Sequence, residues 1–175
     1  MNAKSRWYVI TGGFSAGKST VIDCLSKMGY ETVPDAARVI IDEGNAQGKT
    51  TQEIRQNEQE FQRQVLARKL EAEGGLPKDQ LTFLDRAVPC SIAYHALLGL
   101  DPQEIVRICE RNLYAKIFML AQLPYERDYA RTETEEFMRN LNEPMRQAYV
   151  DLGYEVIDIP VVSPEERVKL ILNHL

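Results

Sequence analysis

Residues 12–19 read Gly-Gly-Phe-Ser-Ala-Gly-Lys-Ser and match the pattern G-x-x-x-x-G-K-[ST] at every fixed position. A run rich in β-branched and aromatic residues (6–11) precedes them, and apolar residues at helical spacing follow. A glycine-rich loop between a strand and a helix directs successive backbone N–H groups at a phosphate. In such a loop the Lys18 ammonium reaches the β- and γ-phosphates, and the Ser19 hydroxyl holds Mg²⁺. A ligand-free glycine turn is the alternative, but the flanking strand and helix favour a site for ATP and Mg²⁺.

The predicted nucleotide-binding residues are the loop and the first residues of the helix: Gly12, Gly13, Phe14, Ser15, Ala16, Gly17, Lys18, Ser19 and Thr20. Lys18 is also predicted to be catalytic, because its charge lies where negative charge develops on the transferred phosphoryl group.

Asp85 is the candidate partner of Ser19 in holding the metal. It follows a largely apolar run, Leu-Thr-Phe-Leu, that reads as a buried strand. In a phosphate-loop protein a carboxylate at such a strand end orients Mg²⁺ or its water ligands. Without the upstream loop, an aspartate here would be read as a helix cap or turn residue.

Three charged residues are candidates for the side of the site that holds a phosphoryl acceptor. Asp35 and Arg38 follow the second predicted strand, and Arg86 follows Asp85 directly. Asp35 is predicted to be catalytic by accepting the proton of a substrate hydroxyl or orienting it, although capping the next helix is an equal reading. Arg86 is predicted to be catalytic and substrate-binding because a guanidinium holds phosphate or acceptor oxygens bidentately, with an ordinary salt bridge as the alternative. Arg38 is the third predicted substrate-binding residue.

Arginines in the charged segment after the fourth predicted strand are candidates for a mobile lid. Arg131 is predicted to be catalytic there, with Arg127 a weaker candidate, because lid arginines neutralise charge on a transferred phosphoryl group. The acidic residues nearby allow the alternative of ordinary surface ion pairs.

Composition narrows the class of partner. The 175 residues carry a net charge of −5, so the basic surface that nucleic-acid binding requires is not expected. No apolar run approaches the ~20 residues of a membrane span, and the first strand follows too closely on Met1 for a secretory signal. The three cysteines have no metal-ligand spacing and suggest buried free thiols in a reducing cytoplasm.

Strand-like and helix-like segments alternate along the chain, which predicts an α/β fold. Strands are expected near 6–11, 29–33, 80–84, 115–123 and 154–159, and one long helix is expected over 51–73. We predict a single-domain, kinase-like, three-layer P-loop NTPase over residues 1–175, with a five-stranded parallel sheet and the ligand at the carboxyl ends of the strands.

Four segments together resemble a known family. They read Gly-Gly-Phe-Ser-Ala-Gly-Lys-Ser-Thr (12–20), Val-Pro-Asp-Ala-Ala-Arg-Val-Ile (33–40), Phe-Leu-Asp-Arg (83–86) and Tyr-Glu-Val-Ile-Asp-Ile-Pro-Val-Val-Ser-Pro-Glu-Glu-Arg (154–167). The combination resembles the small bacterial predicted ATPases with an AAA-type domain, which are related to the ribosylnicotinamide kinase domain of the regulator NadR. That family usually has Pro-Glu-Ala-Ala-Arg after the second strand, where this chain has Asp35. Tyr125 stands in the family's aromatic lid position and Arg131 in its arginine position.

Three functions remain open at this point. The leading reading is Mg²⁺-dependent phosphoryl transfer from ATP to a nucleoside-like or other hydroxyl acceptor. The alternative is an ATP- or GTP-binding switch or slow ATPase that acts through a partner protein, because both classes share the phosphate loop. Asp35 and Arg38 favour the kinase. A phosphohydrolase acting directly on a nucleotide is a third reading.

Overall fold

The computed structural model describes residues 5–109, 113–124, 129–130 and 133–175. Its centre is one sheet of five parallel strands in the order β2-β3-β1-β4-β5. The strands are β1 (Trp7–Thr11), β2 (Glu31–Val33), β3 (Thr82–Asp85), β4 (Lys116–Leu120) and β5 (Val156–Ile159). The predicted five-stranded parallel sheet is therefore confirmed.

The fourth strand is shorter than predicted. Its ladder ends at Leu120 rather than at Leu123. The backbone beyond it turns to other partners: Ala121 N–H donates to the Ile159 carbonyl at 2.9 Å, and Leu123 N–H donates to the Ser15 carbonyl at 3.1 Å. The residues after β4 are therefore joined to the phosphate loop instead of extending the sheet.

The described helices are α1 (Lys18–Lys27), α2 (Ala36–Ala46), α3 (Thr51–Ile54), α4 (Glu58–Gly74), α5 (Cys90–Leu97), α6 (Gln103–Cys109), α7 (Glu135–Asp151) and α8 (Pro164–Leu172). The single helix predicted over 51–73 is wrong, because α3 and α4 are separated at 55–57. Asn57 begins α4 by accepting a hydrogen bond from Glu60 N–H at 3.1 Å. The break turns the Arg55 side chain inward, where it is 8% exposed.

Two apolar clusters cover the two faces of the sheet. Neighbouring residues of β1 point to opposite sides, Val9 into one cluster and Ile10 into the other. Helices α1 and α8 pack together on the Ile10 side, and α5 and α7 pack together on the Val9 side. The result is three layers with strands buried on both faces, which leaves the carboxyl ends of the strands as the open edge.

None of the described helices combines the length and apolarity needed to cross a bilayer. Cys90 and Cys109 are buried and Cys24 is half-buried, and all three are free thiols.

Candidate functional site

The phosphate loop joins β1 to α1 and requires glycine at two of its predicted positions. Gly12 has φ +135°, and a Cβ atom there would lie 2.7 Å from the Leu120 carbonyl oxygen. Gly17 has φ +77° and forms the left-handed cap of α1. The loop borders an open cleft of about 620 Å³ that is also lined by Asp35 and Asp85. This arrangement directs the N-terminus of α1 into the cleft, as an anion site requires.

Arg167 of α8 supports this loop from behind, and sequence reasoning missed it. Its buried guanidinium donates to the carbonyl oxygens of Ala16 (2.5 Å), Ala121 (3.0 Å) and Pro160 (3.0 Å). These carbonyls belong to the loops that follow β1, β4 and β5. One side chain therefore ties together three loops at the carboxyl edge of the sheet. No spacing rule in the sequence separates Arg167 from the exposed charges beside it.

Ser19 and Asp85 lie together at the floor of the cleft. Ser19 Oγ donates to Asp85 Oδ2 at 3.5 Å, and Asp85 Oδ1 is buried without a hydrogen-bond partner among the described residues. Burial and the nearby charge of Asp35 raise the pKa of Asp85 to about 6. A hydroxyl and an under-coordinated carboxylate are oxygen donors of the kind that Mg²⁺ prefers, so these residues fit the metal. Lys18 Nζ donates to the Gly13 carbonyl at 2.7 Å beside them.

Asp35 caps a helix and also forms a buried ion pair. One carboxylate oxygen accepts from Ala37 N–H at 2.9 Å at the start of α2, and the other accepts from Arg86 Nη1 at 3.2 Å. Burial alone would raise the pKa of Asp35, but the charges of Arg86, Lys69 and Lys18 outweigh burial and lower it. Asp35 is therefore ionised. It caps α2, which is one of its two predicted roles, and its ion pair with Arg86 is the alternative that the sequence left open for that arginine.

Arg86 is held in a strained and enclosed position. Its φ is +62°, in the left-handed region, and its guanidinium carbon lies 5.1 Å from the Phe14 ring centroid and 5.7 Å from that of Tyr94. Arg86 Nη1 also donates to Tyr94 Oη at 3.1 Å, whereas its buried Nε has no partner in the described part of the chain. Because the Phe14 side chain packs against Arg86 and Tyr94, any contact of Phe14 with phosphate is left to its backbone.

A second, narrow cavity of about 60 Å³ continues from the cleft, and the two share Lys18, Ser19, Asp35 and Arg38. Sequence reasoning missed several of the charged, polar and aromatic residues that line it: Arg55, Phe61, Gln62, Lys69, Tyr94 and Glu133. Most of these lie on α4, α5 or their approaches. Their positions beside the loop could not be predicted, because the polar residues of these helices belong to no recognisable motif.

Residues from the predicted lid segment lie against this second cavity. Arg55 donates to the Ala130 carbonyl at 3.2 Å and forms an ion pair with Glu133 at 2.5 Å. Arg38 lies 5.3 Å from the Tyr129 ring centroid. The predicted lid residues Tyr125, Arg127 and Arg131 fall outside the described residues.

Solved structures with similar folds include a deoxyadenosine kinase and the YorR protein. A deoxyadenosine kinase from M. mycoides with bound dCTP matches with a TM-score of 0.66 at 14% identity, over 96% of this chain and 97% of that chain. The YorR protein of Bacillus subtilis, in complex with phosphorylated GDP, matches with a TM-score of 0.60 at 16% identity, over 96% and 94%. At these identities the likeness establishes the fold alone, which is the fold that these proteins share with this chain.

No curated protein matches the sequence. A family model described as an AAA domain matches residues 7–167, which is nearly the whole chain. The chain therefore belongs to this AAA domain family.

Proposed function

We propose that this protein is a Mg²⁺-dependent kinase that transfers the γ-phosphoryl group of ATP to a small, nucleoside-like acceptor. The observation that carries the proposal is the junction of two cavities at Asp35 and Arg38. A nucleotide switch needs a site for its triphosphate, whereas a kinase needs a second, enclosed site beside the γ-phosphate. The similar structures support the same reading, because those proteins are a deoxyadenosine kinase with dCTP and YorR with phosphorylated GDP.

The cationic and the oxygen-bearing residues of the cleft have different proposed roles. Lys18 would bind the β- and γ-phosphates, while Ser19 and Asp85 would hold Mg²⁺, which neutralises charge on the phosphates when bound. Arg86 would contact acceptor or γ-phosphate oxygens through its buried Nε–H, which has no partner among the described residues. Arg38, and Arg131 outside the described residues, would add positive charge as the phosphoryl group passes across.

Transfer forms a bond between an acceptor oxygen and the γ-phosphorus and breaks the bond between that phosphorus and the β–γ bridging oxygen. ADP leaves with the electron pair of the broken bond, and the proton of an acceptor hydroxyl passes to Asp35 and then to water. The lowered pKa of Asp35 makes it a weak base. Its main contribution is therefore to orient the hydroxyl in line with the γ-phosphate, which suits the loose transition state of phosphoryl transfer.

The second cavity must widen to admit a nucleoside. Its volume is about 60 Å³, whereas pockets for small organic ligands measure roughly 300–1,000 Å³. The contacts of Arg55 with Ala130 and Glu133 lie along the border of this cavity. These contacts would break when the cavity widens. We further propose that the acceptor enters from this side, opposite the phosphate loop.

A screen of ADP production against nucleosides, nucleotides, vitamins and sugars tests the proposal, with ribosylnicotinamide included because of the family resemblance. The expected result is ADP formation that depends on both Mg²⁺ and one class of acceptor. Lys18→Ala serves as the control for contaminating kinases. Slow ADP formation that no acceptor accelerates would instead support the switch or ATPase.

A further inference from the structure

Lys69 is a buried cation beside the acceptor cavity that forms no ion pair with any carboxylate of the described residues. It lies on α4, one and two helical turns beyond Val65 and Phe61, and all three side chains line the same cavity. Lys69 is 6% exposed, and its Nζ donates to the Ser91 hydroxyl at 3.2 Å. Within the described part of the chain it forms no ion pair. A buried ammonium bonded only to a hydroxyl is costly, because its charge has lost water without gaining an anion.

The carboxylates nearest to Lys69 are committed elsewhere. Asp35 accepts from Arg86 and from the start of α2. Glu73, one turn along α4, accepts from Tyr114 Oη at 2.7 Å and from Val88 N–H at 3.0 Å. Burial raises the pKa of Glu73, which weakens its negative charge. Neither group therefore supplies the full counter-charge that Lys69 lacks.

Two of the other cations that line the cavity, Arg55 and Arg86, do form ion pairs with described carboxylates. Arg55 is neutralised by Glu58 at 2.7 Å and Glu133 at 2.5 Å. Arg86 pairs with Asp35, but its Nε–H has no hydrogen-bond partner among the described residues, although Arg86 is only 7% exposed. Lys69 and Arg86 both line the cavity, so a cation without a described ion pair and a donor without a described acceptor border the same cavity.

We propose that the acceptor carries an anionic group, a phosphate monoester or a carboxylate, that binds to Lys69 and Arg86 in this cavity. The proposal rests on the kinase function and deepens it, since it selects anionic acceptors over neutral nucleosides or cationic ones such as ribosylnicotinamide. The bound anion supplies the ion pair that Lys69 does not form with the described residues, and charge-assisted hydrogen bonds to it favour the charged acceptor. Lys69 then sets specificity and takes no part in the transfer itself.

Matched pairs of compounds test this proposal: nucleosides and their monophosphates, sugars and sugar phosphates, and amides and carboxylates. Binding is measured by the shift in melting temperature and by calorimetry, with ADP and Mg²⁺ saturating the phosphate loop. The same pairs are then assayed for turnover with ATP. Binding decides the anion site, whereas turnover decides the kinase function, so the two failures are distinguishable.

At least one anionic member should bind about 10- to 100-fold more tightly than its neutral partner, the range expected for a hydrogen bond to a charged group. Lys69→Met, which keeps the length of the side chain without its charge, should reduce that ratio about tenfold. The affinity of the neutral partner should stay within threefold, and the fold should be at least as stable. Lys27→Met, at an exposed position of α1, is the matched control and should leave the ratio unchanged.

A library in which no anionic member binds more tightly than its partner would overturn the proposal, whatever the turnover. The proposal would also be overturned if Lys69→Met weakened the binding of both compounds of a pair equally, because that is the result expected of a purely structural lysine. Turnover of a neutral acceptor alone would retain the kinase and remove the anion site.

Discussion

Replacing Asp85 with asparagine should stabilise the metal-free protein at neutral pH while removing its response to Mg²⁺. Asp85 is 3% exposed, one of its oxygens has no described partner, and its pKa of about 6 lies above the ordinary 3.8. A shift of about two units corresponds to roughly 3 kcal/mol by which the fold disfavours the ionised carboxylate. Asparagine removes the charge but brings an N–H group that needs a partner, so we expect a net gain of about 1–3 kcal/mol at pH 7.

The pH dependence of the stability gained by Asp85→Asn follows from the direction in which folding shifts the pKa of Asp85. A carboxyl whose pKa is raised on folding binds more protons in the folded state, so its contribution to the free energy of unfolding falls as pH rises. For Asp85 most of that fall lies between pH 4 and pH 6. The difference in stability between Asp85→Asn and wild type should therefore be small at pH 4 and reach its full value by pH 7.

Thermal unfolding in EDTA at pH 4 and pH 7, followed by circular dichroism, measures this difference. For a chain of this length, 1–3 kcal/mol corresponds to an increase in melting temperature of about 2–12 °C. Asp23→Asn, at an exposed position of the same cleft, is the control and should change stability by less than about 0.5 kcal/mol. A variant no more stable than wild type at pH 7, or equally stabilised at both pH values, would refute the account of a strained carboxylate.

The same variant also tests the metal assignment. With the proposed Mg²⁺ site intact, the ion should stabilise the ATP complex of the wild type and lower the apparent Kd for ATP. Asp85→Asn should lose most of the increase in ATP affinity that Mg²⁺ provides, whereas its affinity for ATP without Mg²⁺ should be unchanged. The amide preserves the shape of the side chain but removes the charge that orients the ion. Calorimetry with and without Mg²⁺ provides the measurement. An undiminished effect of Mg²⁺ in the variant would assign Asp85 a structural role only.

Three further substitutions separate the parts of the site. Lys18→Ala should abolish ATP turnover with the fold retained by circular dichroism; wild-type turnover would contradict the role of the phosphate loop. Asp35→Asn, which can still cap α2, should reduce acceptor phosphorylation by about 10²-fold or more at nearly unchanged ATP affinity; full activity at unchanged melting temperature would remove Asp35 from the reaction. Arg167→Lys cannot reach three carbonyls at once and should raise the Kd for ATP about tenfold, whereas Lys169→Arg on the same helix should not. A lower melting temperature with unchanged affinity for ATP would show that Arg167 stabilises the fold and does not support the nucleotide site.

The parts of the site that sequence could predict are those in which a local pattern determines the geometry. Gly12 and Gly17 adopt backbone angles that favour glycine. Asp85 ends a strand that can be recognised in the sequence as an apolar run. Lys69 was within reach of the same reasoning, because it falls at i+8 from Phe61 and i+4 from Val65, on the stripe of α4 that these two apolar residues form. A lysine in such a stripe is normally assigned to the surface, so its burial became visible only when α4 was placed against α5.

Contacts between distant segments were beyond sequence reasoning. The ion pair of Asp35 with Arg86 requires the ends of β2 and β3 to be neighbours, which the alternation of elements alone does not determine. The break between α3 and α4 depends on the cap at Asn57 and on a partner for Arg55 that lies 78 residues away, at Glu133.

The bonds of Arg167 also impose an order on folding during synthesis. A ribosome makes the phosphate loop early and α8 some 150 residues later, yet the Ala16 carbonyl of that loop is bonded to Arg167. The strands that follow β1 in space, β4 and β5, are likewise completed late. Until α8 has left the exit tunnel, the nascent chain has a glycine-rich loop without its support and an open sheet edge. The proposed ATP ligand should therefore stabilise the protein in which α8 is docked, and it should contribute little to the folding of the growing chain before α8 is made.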